Sequence, residues 1–229
     1  MRRIAIIPAR GGSKRIPKKN IRLFLGEPIL QYSIRAALQT GFYDTVMVST
    51  DDEEIAEVAK NAGADVPFMR SKKNSNDYAS TYDVLEEVLL QYQQEEIVFE
   101  EGVCIYPCAP FVTAEILKQA HDLLKKELFT TVFPVIPYST PIQRALKKQN
   151  DSVSFIHPEN ALKRSQDLEV SYHDAGQFYT FNVERLLACG KLISEHTGGI
   201  EISELQAQDI DNIADWELAE LKYKLLQQK

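Results

Sequence analysis

Five cations lie within ten residues of the segment "IPARGGSKRIPKKN", residues 7–20. These cations are Arg10, Lys14, Arg15, Lys18 and Lys19. Two glycines among them, Gly11 and Gly12, permit positive φ and allow backbone N–H groups to approach an anion closely. Arginine adds a planar fork of donors and lysine adds mobile point charges. The combination is suited to a triphosphate, and the alternative is a solvated basic loop or a nuclear-localisation-like run.

Known phosphate-binding patterns do not explain this loop. Gly11 and Gly12 are followed by Ser-Lys-Arg-Ile-Pro, so there is no GxxxxGK[ST] sequence and no Walker A motif. The GxGxxG fingerprint of dinucleotide-binding folds is also missing. The phosphate interpretation therefore depends on where the loop lies in the fold.

Charge is distributed unevenly along the chain. The first 26 residues hold eight cations and no acids, whereas the remaining residues hold 18 cations and 33 acids, and the net charge is −7. Nucleic-acid binding requires a broad positive surface, which such a chain lacks. We therefore expect a small polyanion as the ligand, and no nucleic-acid partner.

A second stretch with possible chemistry is "QDID", residues 208–211. Asp209 and Asp211 are two residues apart, so on an extended segment both carboxylates point the same way. Two such carboxylates can hold Mg²⁺ together with substrate phosphates. The alternative is that Asp211 caps the helix that follows. Asp215 is interpreted as a first-turn acid that complements the dipole of the same helix.

Strand and helix patterns alternate along the chain and must position these residues. "IAII", "TVMVST", "ADVPFM", "GVCIY" and "TTVFPVI" read as strands, separated by amphipathic helical stretches. Asp51 or Asp52 is expected to cap the second helix. This βαβα order predicts an α/β fold with a doubly wound, mostly parallel sheet. Ligands of such sheets bind at the carboxyl ends of the strands, and the basic loop follows the first strand directly.

The pattern breaks between about residues 137 and 176, where prolines and short strand-like pieces alternate. We interpret residues 1–229 as a single domain in which 137–176 form an insertion or a dimerisation arm. "GQFYTFNV" then resumes a strand, and an amphipathic helix ends the chain.

Other residues favour a soluble, cytoplasmic protein. The three cysteines show no CxxC spacing, no apolar run is long enough to span a membrane, and the N-terminus lacks the features of a signal peptide. His121 is expected at the surface or at the boundary of its helix.

Together the quoted motifs resemble the nonulosonic-acid cytidylyltransferases, the CMP-sialic acid synthetase family. "IPARGGSKRIPKKN", "VSTDDEEIAEVAKNAGADVPFMR" and "QDID" carry the resemblance, which runs along the whole chain. It implies a Rossmann-like fold of the nucleotide-diphospho-sugar transferase type. The implied reaction is the transfer of CMP from CTP to a nine-carbon sugar acid, with Mg²⁺ as cofactor. The family is typically dimeric through the inserted region, so the resemblance also implies a homodimer.

The resemblance assigns roles to residues of this chain. The residues implied to bind CTP are Ala9, Arg10, Ser13, Lys14, Asn20, Arg70, Ala79 and Thr81. Lys19, Arg10 and Asp211 are implied to be catalytic, and Asp209 and Asp211 to hold Mg²⁺. The residues on the sugar side are Tyr106, Gln143, Arg164, His173 and Gln177. Arg164, in "RSQDLE", is a candidate for the sugar carboxylate, in its own site or in that of a neighbouring subunit.

Sugar-side phrases depart from the sialic acid pattern. "YPCAPF" occurs where that branch has QPTSPLR. Ala-Gly-Gln-Phe-Tyr replaces Asn-Gly-Ala-Ile-Tyr, and Gln143 replaces a lysine of the inserted region. These phrases are similar to the branch that uses pseudaminic acid. Because a hydrogen-bonding pocket discriminates strongly among analogues, the departures predict a sugar other than sialic acid. Sialic or legionaminic acid remains the alternative, and a non-catalytic nucleotide-binding protein is the alternative of another class. A water activated by the metal and Asp211 acting through water are both open as the general base.

Overall fold

The computed structural model describes residues 1–228 of the chain. The strands are β1 (Arg3–Pro8), β2 (Leu23–Phe24), β3 (Glu27–Pro28), β4 (Thr45–Ser49), β5 (Glu101–Ile105), β6 (Thr131–Pro137), β7 (Leu146–Gln149), β8 (Ser152–Phe155), β9 (Tyr172–Asp174), β10 (Phe178–Asn182) and β11 (Thr197–Glu201). The helices are α1 (Ile29–Thr40), α2 (Glu53–Asn61), α3 (Thr81–Gln94), α4 (Ala114–Lys126), α5 (Val183–Cys189) and α6 (Ile213–Gln227). Within residues 1–228, no helix combines the length and the apolar character needed to cross a membrane.

The central sheet has the order β11-β6-β10-β5-β1-β4, and β9 pairs with β6. Five of its seven strands run in one direction, while β9 and β10 run in the other. The prediction of a mostly parallel α/β sheet is confirmed. Strand β4 lies on one side of β1 and β5 on the other, so the winding direction reverses between β1 and β5. The crevice beyond the carboxyl ends of these two strands is where such folds bind ligands.

Helices cover both faces of the sheet because its central strands carry buried apolar side chains on both faces. In β1, Ala5 and Ile7 pack in one cluster with residues of α1, α2 and α4. Ile4 and Ile6 point to the opposite face and pack with residues of α3 and α5. All four side chains are fully buried. Burial on both faces explains why the strand reads as a continuous apolar run and not as an alternating one.

One predicted strand is missing, and the choice between two predicted helix caps is resolved. "ADVPFM" forms only an isolated bridge, Asp65 to Met47, and not a third strand. Pro67 follows shortly after and cannot donate to a ladder. Asp52, rather than Asp51, caps α2 through the backbone N–H groups of Glu54 and Ile55.

His121 is buried and not at the surface, because it belongs to an ionic cluster at the amino ends of β1 and β5. Glu101 accepts hydrogen bonds from Arg3 Nε at 3.0 Å and lies 3.2 Å from His121 Nδ1. Burial lowers the pKa of His121, against the opposing effect of Glu101. Burial by itself raises the pKa of Glu101, but the hydrogen bonds from His121 and Arg3 outweigh it and the net shift is downward. The cluster therefore consists of a carboxylate, a guanidinium and a neutral imidazole.

Residues 137–176 leave the sheet at the end of β6 and return to it at β9. Between these strands lie the exposed hairpin β7–β8 and short 3₁₀ turns. The base of the segment is closed by a hydrogen bond from Tyr138 N to Ser171 O, 2.9 Å long. Large apolar side chains along it are exposed, among them Leu162, whose exposed fraction is 99%. We call residues 138–171 the arm; its role in dimerisation stays a prediction.

Candidate active site

A cavity of about 560 Å³ lies at the carboxyl ends of β1 and β5. It is lined by Pro8, Arg10, Ser13, Lys14, Arg15, Ile16, Lys19, Asn20, Arg70, Asn74, Asn76, Asp77, Ala79, Ser80, Thr81, Val84, Tyr106, Pro107 and Asp211. Pro8 ends β1, and Tyr106 and Pro107 follow β5 directly. The cavity therefore occupies the crevice where the winding direction of the sheet reverses.

The basic loop is held in place by Asn20, a buried residue of the 3₁₀ turn Lys19–Ile21. Its side-chain nitrogen donates to Arg10 O at 2.8 Å, and its side-chain oxygen accepts from Cys108 Sγ at 3.3 Å. Both ends of the loop are thereby tied to each other and to the segment after β5. Ser13 and Asn20, two residues predicted to bind CTP, line the cavity, whereas Ala9 is fully buried and does not.

The two glycines of the loop do not have the conformation that their chemistry suggested. Neither belongs to the residues with positive φ in residues 1–228. A Cβ at Gly11 would lie 2.6 Å from Asp52 Oδ2, and Gly11 N donates to Asp51 Oδ1 at 3.0 Å. Gly11 is therefore needed where the loop packs against the acidic start of α2.

Each cation of the loop is matched by an internal acceptor. Arg10 Nη1 lies 2.6 Å from Asp77 Oδ1, and Lys14 binds the other oxygen of Asp77. Arg15 pairs with Asp211 at 2.7 Å. Lys18 pairs with Glu54, and Lys19 donates to Ile210 O. The hydrogen bonds from Lys14 and then Arg10 lower the pKa of Asp77.

The acidic segment contacts this loop through the core as well as through the Arg15–Asp211 ion pair. Ile16 of the loop and Ile210 are both almost fully buried in one cluster with Phe24 and Trp216. Burying such a side chain contributes about 1.5–3 kcal/mol, so these contacts fix residues that lie about 190 positions apart in the sequence. As a result, Asp211 lies in the cavity wall opposite the basic loop.

Asp211 is not the cap of α6. Asn212 accepts a hydrogen bond from Asp215 N and forms a capping box with that residue. Asp215 is thus engaged in the first turn, as its position predicts. The carboxylate of Asp211 is left to face Arg15 and the cavity, whereas Asp209 is not among the cavity-lining residues.

The chemistry of this acid pair fits Mg²⁺. Partial burial, followed by the charge of Asp211, raises the pKa of Asp209, as expected for a partly buried carboxylate near a second one. Within residues 1–228, no group of three or more His, Cys, Asp and Glu side chains is arranged to hold a metal. Mg²⁺ needs only one or two carboxylates, because substrate phosphates and waters complete its octahedron.

Arg70, Ala79 and Thr81 line the side of the cavity opposite Asp211. Arg70 is buried, and it donates from Nε to Ser49 Oγ at 3.0 Å. Burial lowers the pKa of Arg70, and the nearby charge of Asp51 opposes this shift. Ala79 and Thr81 flank Ser80, the N-cap of α3. The amino end of a 14-residue helix therefore faces the cavity and favours negative charge there.

Tyr106 is the predicted sugar-side residue that lines the cavity. Its hydroxyl lies 3.3 Å from Thr81 Oγ1, and its ring packs 5.6 Å from that of Tyr179, centroid to centroid. Tyr179 in turn donates to Asp174. The sequence analysis assigned no role to Tyr179 or Asp174.

The other predicted sugar-side residues do not line the cavity. Gln143 donates to Glu169 O at 2.9 Å, and its buried side-chain oxygen has no hydrogen-bond partner in the described part of the chain. Arg164 makes two hydrogen bonds with Asp167, at 2.8 and 3.0 Å. His173 contacts Asp174 O at 2.9 Å, and Gln177 is buried and donates to Gln206 O at 2.6 Å.

The sequence analysis did not identify three polar residues that line the cavity, namely Asn74, Asn76 and Asp77. Asn76 Oδ1 accepts from Tyr78 N and Ala79 N and shapes the turn before α3. The available signal was the phrase "NSNDYAS", a turn sequence directly before a helix cap. Nothing in it indicates that Asp77 reaches back to the first loop.

The fold and the site define an α/β protein with a cation-lined cavity at the end of its first strand. A sequence model described as "Cytidylyltransferase" matches residues 4–194. The chain belongs to this cytidylyltransferase family and is a nucleotidyltransferase enzyme.

Named relatives agree with the family. The chain is 40% identical to the pseudaminic acid cytidylyltransferase of Campylobacter jejuni subsp. jejuni serotype O:2, over 98% of this chain and 97% of the relative. It is 33% identical to the CMP-N,N'-diacetyllegionaminic acid synthase of Legionella pneumophila, over 100% and 99% of the two chains. The solved structure of CMP:2-keto-3-deoxy-manno-octonic acid synthetase complexed with CTP superposes with a TM-score of 0.69 at 17% identity, covering both chains fully. This last likeness supports the fold.

Proposed function

We propose that the protein transfers the CMP group of CTP to the anomeric hydroxyl of pseudaminic acid, with Mg²⁺ as cofactor, and releases pyrophosphate. The observation that carries the proposal is that the residues predicted to bind CTP, apart from Ala9, line one cavity at the ends of β1 and β5 together with Asp211. These residues come from four separate segments of the chain. The cavity joins cations for phosphates with a carboxylate for a metal.

The chemistry asks for positioning and for neutralisation of charge. The oxygen of the anomeric hydroxyl bonds to the α-phosphorus of CTP, the bond from that phosphorus to the bridging oxygen breaks, and the hydroxyl loses its proton. Negative charge spreads over the phosphoryl oxygens in the transition state. Lys19 and Arg10 line the cavity and supply positive charge to these oxygens.

Asp209 and Asp211 are the residues proposed to hold Mg²⁺. When bound, the ion neutralises phosphate charge and orients the triphosphate. Arg15, paired with Asp211 at 2.7 Å in the structure, holds that carboxylate at the cavity wall.

For the sugar, we propose pseudaminic acid because of the relative in Campylobacter jejuni, which is more similar than the legionaminic acid synthase. Tyr106 is placed to contact the sugar from the cavity wall. Gln143 and Arg164 are proposed to contact it from the arm of a second subunit in a homodimer, and His173 from strand β9 at the base of that arm. Gln177 is proposed to act on the sugar side as well, through its hydrogen bond to the segment before Asp209. We also place the reaction in the cytoplasm, which fits the three unpaired cysteines.

The test is pyrophosphate release from CTP and Mg²⁺ with pseudaminic, legionaminic and sialic acid offered in parallel. Release with pseudaminic acid at the highest kcat/KM is the expected result. Preference for another of the three keeps the reaction and overturns the sugar. Release with none of them, together with tight CTP binding, would favour a non-catalytic nucleotide-binding role.

A further inference from the structure

Asp77 lies between Arg10 and Lys14, two cations of the basic loop that line the cavity. Its Oδ1 lies 2.6 Å from Arg10 Nη1, and its Oδ2 binds Lys14. All three side chains line the cavity. A carboxylate that offers one oxygen to each of two cations occupies the position that two oxygens of a phosphate group would take.

Asp77 lies at the tip of a segment that can move without disturbing the core. The segment runs from Ser71 to Ser80, and its ends are fixed by hydrogen bonds of Ser71 to Glu87 and of Ser80 to Asp83. Its tip is exposed: the neighbouring Tyr78 has an exposed fraction of 96%. The side chain of Asp77 itself is 44% exposed. Moving the tip therefore costs little buried apolar surface.

A second ion pair on the same loop provides a comparison. Lys18 pairs with Glu54 as Lys14 pairs with Asp77, and the two pairs are similarly exposed. Neither Lys18 nor Glu54 lines the cavity. A ligand in the cavity therefore competes with Asp77 for its cations, whereas the Glu54 pair is unaffected.

We propose that Asp77 is a displaceable internal anion, which occupies the phosphate position of the nucleotide site in the free enzyme and is released when the triphosphate binds. The proposal rests on the proposed use of CTP. It makes Asp77 a residue that sets anion selectivity, since only a ligand that satisfies both Arg10 and Lys14 compensates for the two ion pairs that break. After transfer, the return of Asp77 to these cations favours the departure of pyrophosphate.

The experiment compares Asp77→Asn with the wild type by calorimetric titration in the absence of sugar acid, so that no turnover occurs. The ligands are CTP, CMP, cytidine and inorganic pyrophosphate. Asp77→Asn removes the internal competitor for Arg10 and Lys14, which forms two exposed ion pairs, so this variant is expected to bind CTP and pyrophosphate about three- to tenfold more tightly. The gain should shrink with CMP and vanish with cytidine, which carries no phosphate.

Two further variants serve as controls. Glu54→Gln makes the same change of charge in α2, at the partner of Lys18 and away from the cavity, and its affinity for CTP should stay within about twofold of the wild type. Asp77→Glu keeps the carboxylate and should restore an affinity close to that of the wild type. Thermal denaturation reports whether each variant is folded.

Two results would overturn the proposal. If Asp77→Asn binds pyrophosphate and CTP equally or more weakly than the wild type, Asp77 holds the cations in place for the ligand instead of competing with it. If Glu54→Gln gains as much affinity as Asp77→Asn, the effect is one of net charge. The pyrophosphate titration keeps the test independent of the proposed function, which fails separately if wild-type enzyme neither binds CTP nor releases pyrophosphate with any of the sugar acids.

Discussion

The nucleotide side of the cavity and the arm were predicted from the same family resemblance, yet only the residues of the nucleotide side meet in the cavity. On the nucleotide side, Arg10 follows β1, Thr81 opens α3, and both meet Arg70 in one cavity. In the arm, Gln143 and Arg164 bond to neighbouring atoms of the arm and do not reach the cavity. The nucleotide site is thus assembled by one chain, while the arm presents its side chains outwards.

The physical origin of this difference is the core beneath each region. The loop after β1 is tied to the sheet, to Cys108 and to the buried pair Ile16 and Ile210. The arm lies on a two-stranded hairpin whose residues are mostly exposed, including Leu146 and Val153. An isolated hairpin of this kind is only marginally stable by itself. The comparison predicts that changes in the cavity act within one chain and that changes in the arm act across a dimer.

The largest effect is expected from Asp211→Ala. If Asp211 binds Mg²⁺ in the cavity, its loss should lower kcat by about 100-fold or more, while the melting temperature stays near that of the wild type. The measurement is pyrophosphate release over a range of Mg²⁺ concentrations. Arg15→Ala, which removes the partner of this carboxylate but keeps the carboxylate, should cost much less. Near-normal turnover of Asp211→Ala with Mg²⁺ would refute its metal role.

Lys19→Ala tests whether the cavity acts on the transition state. A lysine that stabilises charge at the α-phosphate should, when removed, lower kcat by about 30- to 100-fold with little change in the KM for CTP. Steady-state kinetics gives both constants. Lys18→Ala is the matched control, since Lys18 pairs with Glu54 outside the cavity. A rise in KM at unchanged kcat would mean that Lys19 binds only the ground state.

Mixed dimers test whether the arm acts on the site of the other subunit. Arg164→Ala should raise the KM for the sugar about tenfold or more and leave the KM for CTP unchanged. If Arg164 acts across a dimer, mixing Arg164→Ala with Asp211→Ala subunits leaves about a quarter of all sites intact. Activity should then rise well above that of either variant alone. No recovery in dimers shown to have exchanged would place Arg164 in its own chain's site.

A smaller effect is expected from Tyr106→Gln combined with Gln143→Lys, which introduces the sialic-type residues. Since these residues lie on the proposed sugar side, the preference for pseudaminic over sialic acid should fall by about tenfold, with CTP use unchanged. The ratio of the two kcat/KM values measures this preference. An unchanged ratio would show that sugar choice is made elsewhere.

The smallest effect concerns a third region, the cluster of Arg3, Glu101 and His121 at the opposite end of β1 and β5. The folded-state pKa values of His121 and Glu101 are both lowered, so the unfolded chain binds protons more tightly. Their contribution to stability is full above pH 6.5, the ordinary pKa of histidine, and is lost as the pH falls through the lowered values. Urea denaturation at pH 8 and at pH 5 should show lower stability at pH 5. The pH-dependent part contributed by this histidine should be missing in His121→Asn.

The sequence sufficed for those features that depend on local pattern. Continuous apolar runs predicted the buried strands, and the order of strands and helices placed the basic loop at the carboxyl end of β1. Where the pattern was ambiguous, the prediction failed. "ADVPFM" forms no strand, since Pro67 within it cannot donate to a ladder. The position of His121 was predicted from its own helix alone, although its partner Glu101 lies on a strand. The residues next to His121 in the sequence do not indicate its contact with Glu101.

The sequence by itself determined that a concentrated set of donors follows the first strand, that an acid pair stands near the last helix, and that the chain is a cytidylyltransferase by resemblance. Only the tertiary structure decided that Ile16 and Ile210 join these two stretches, that Asn212 and not Asp211 caps α6, and that Asp77 lies between Arg10 and Lys14. The reason is physical. Residue type and spacing fix what a side chain can do, whereas burial and long-range packing fix which partner it meets.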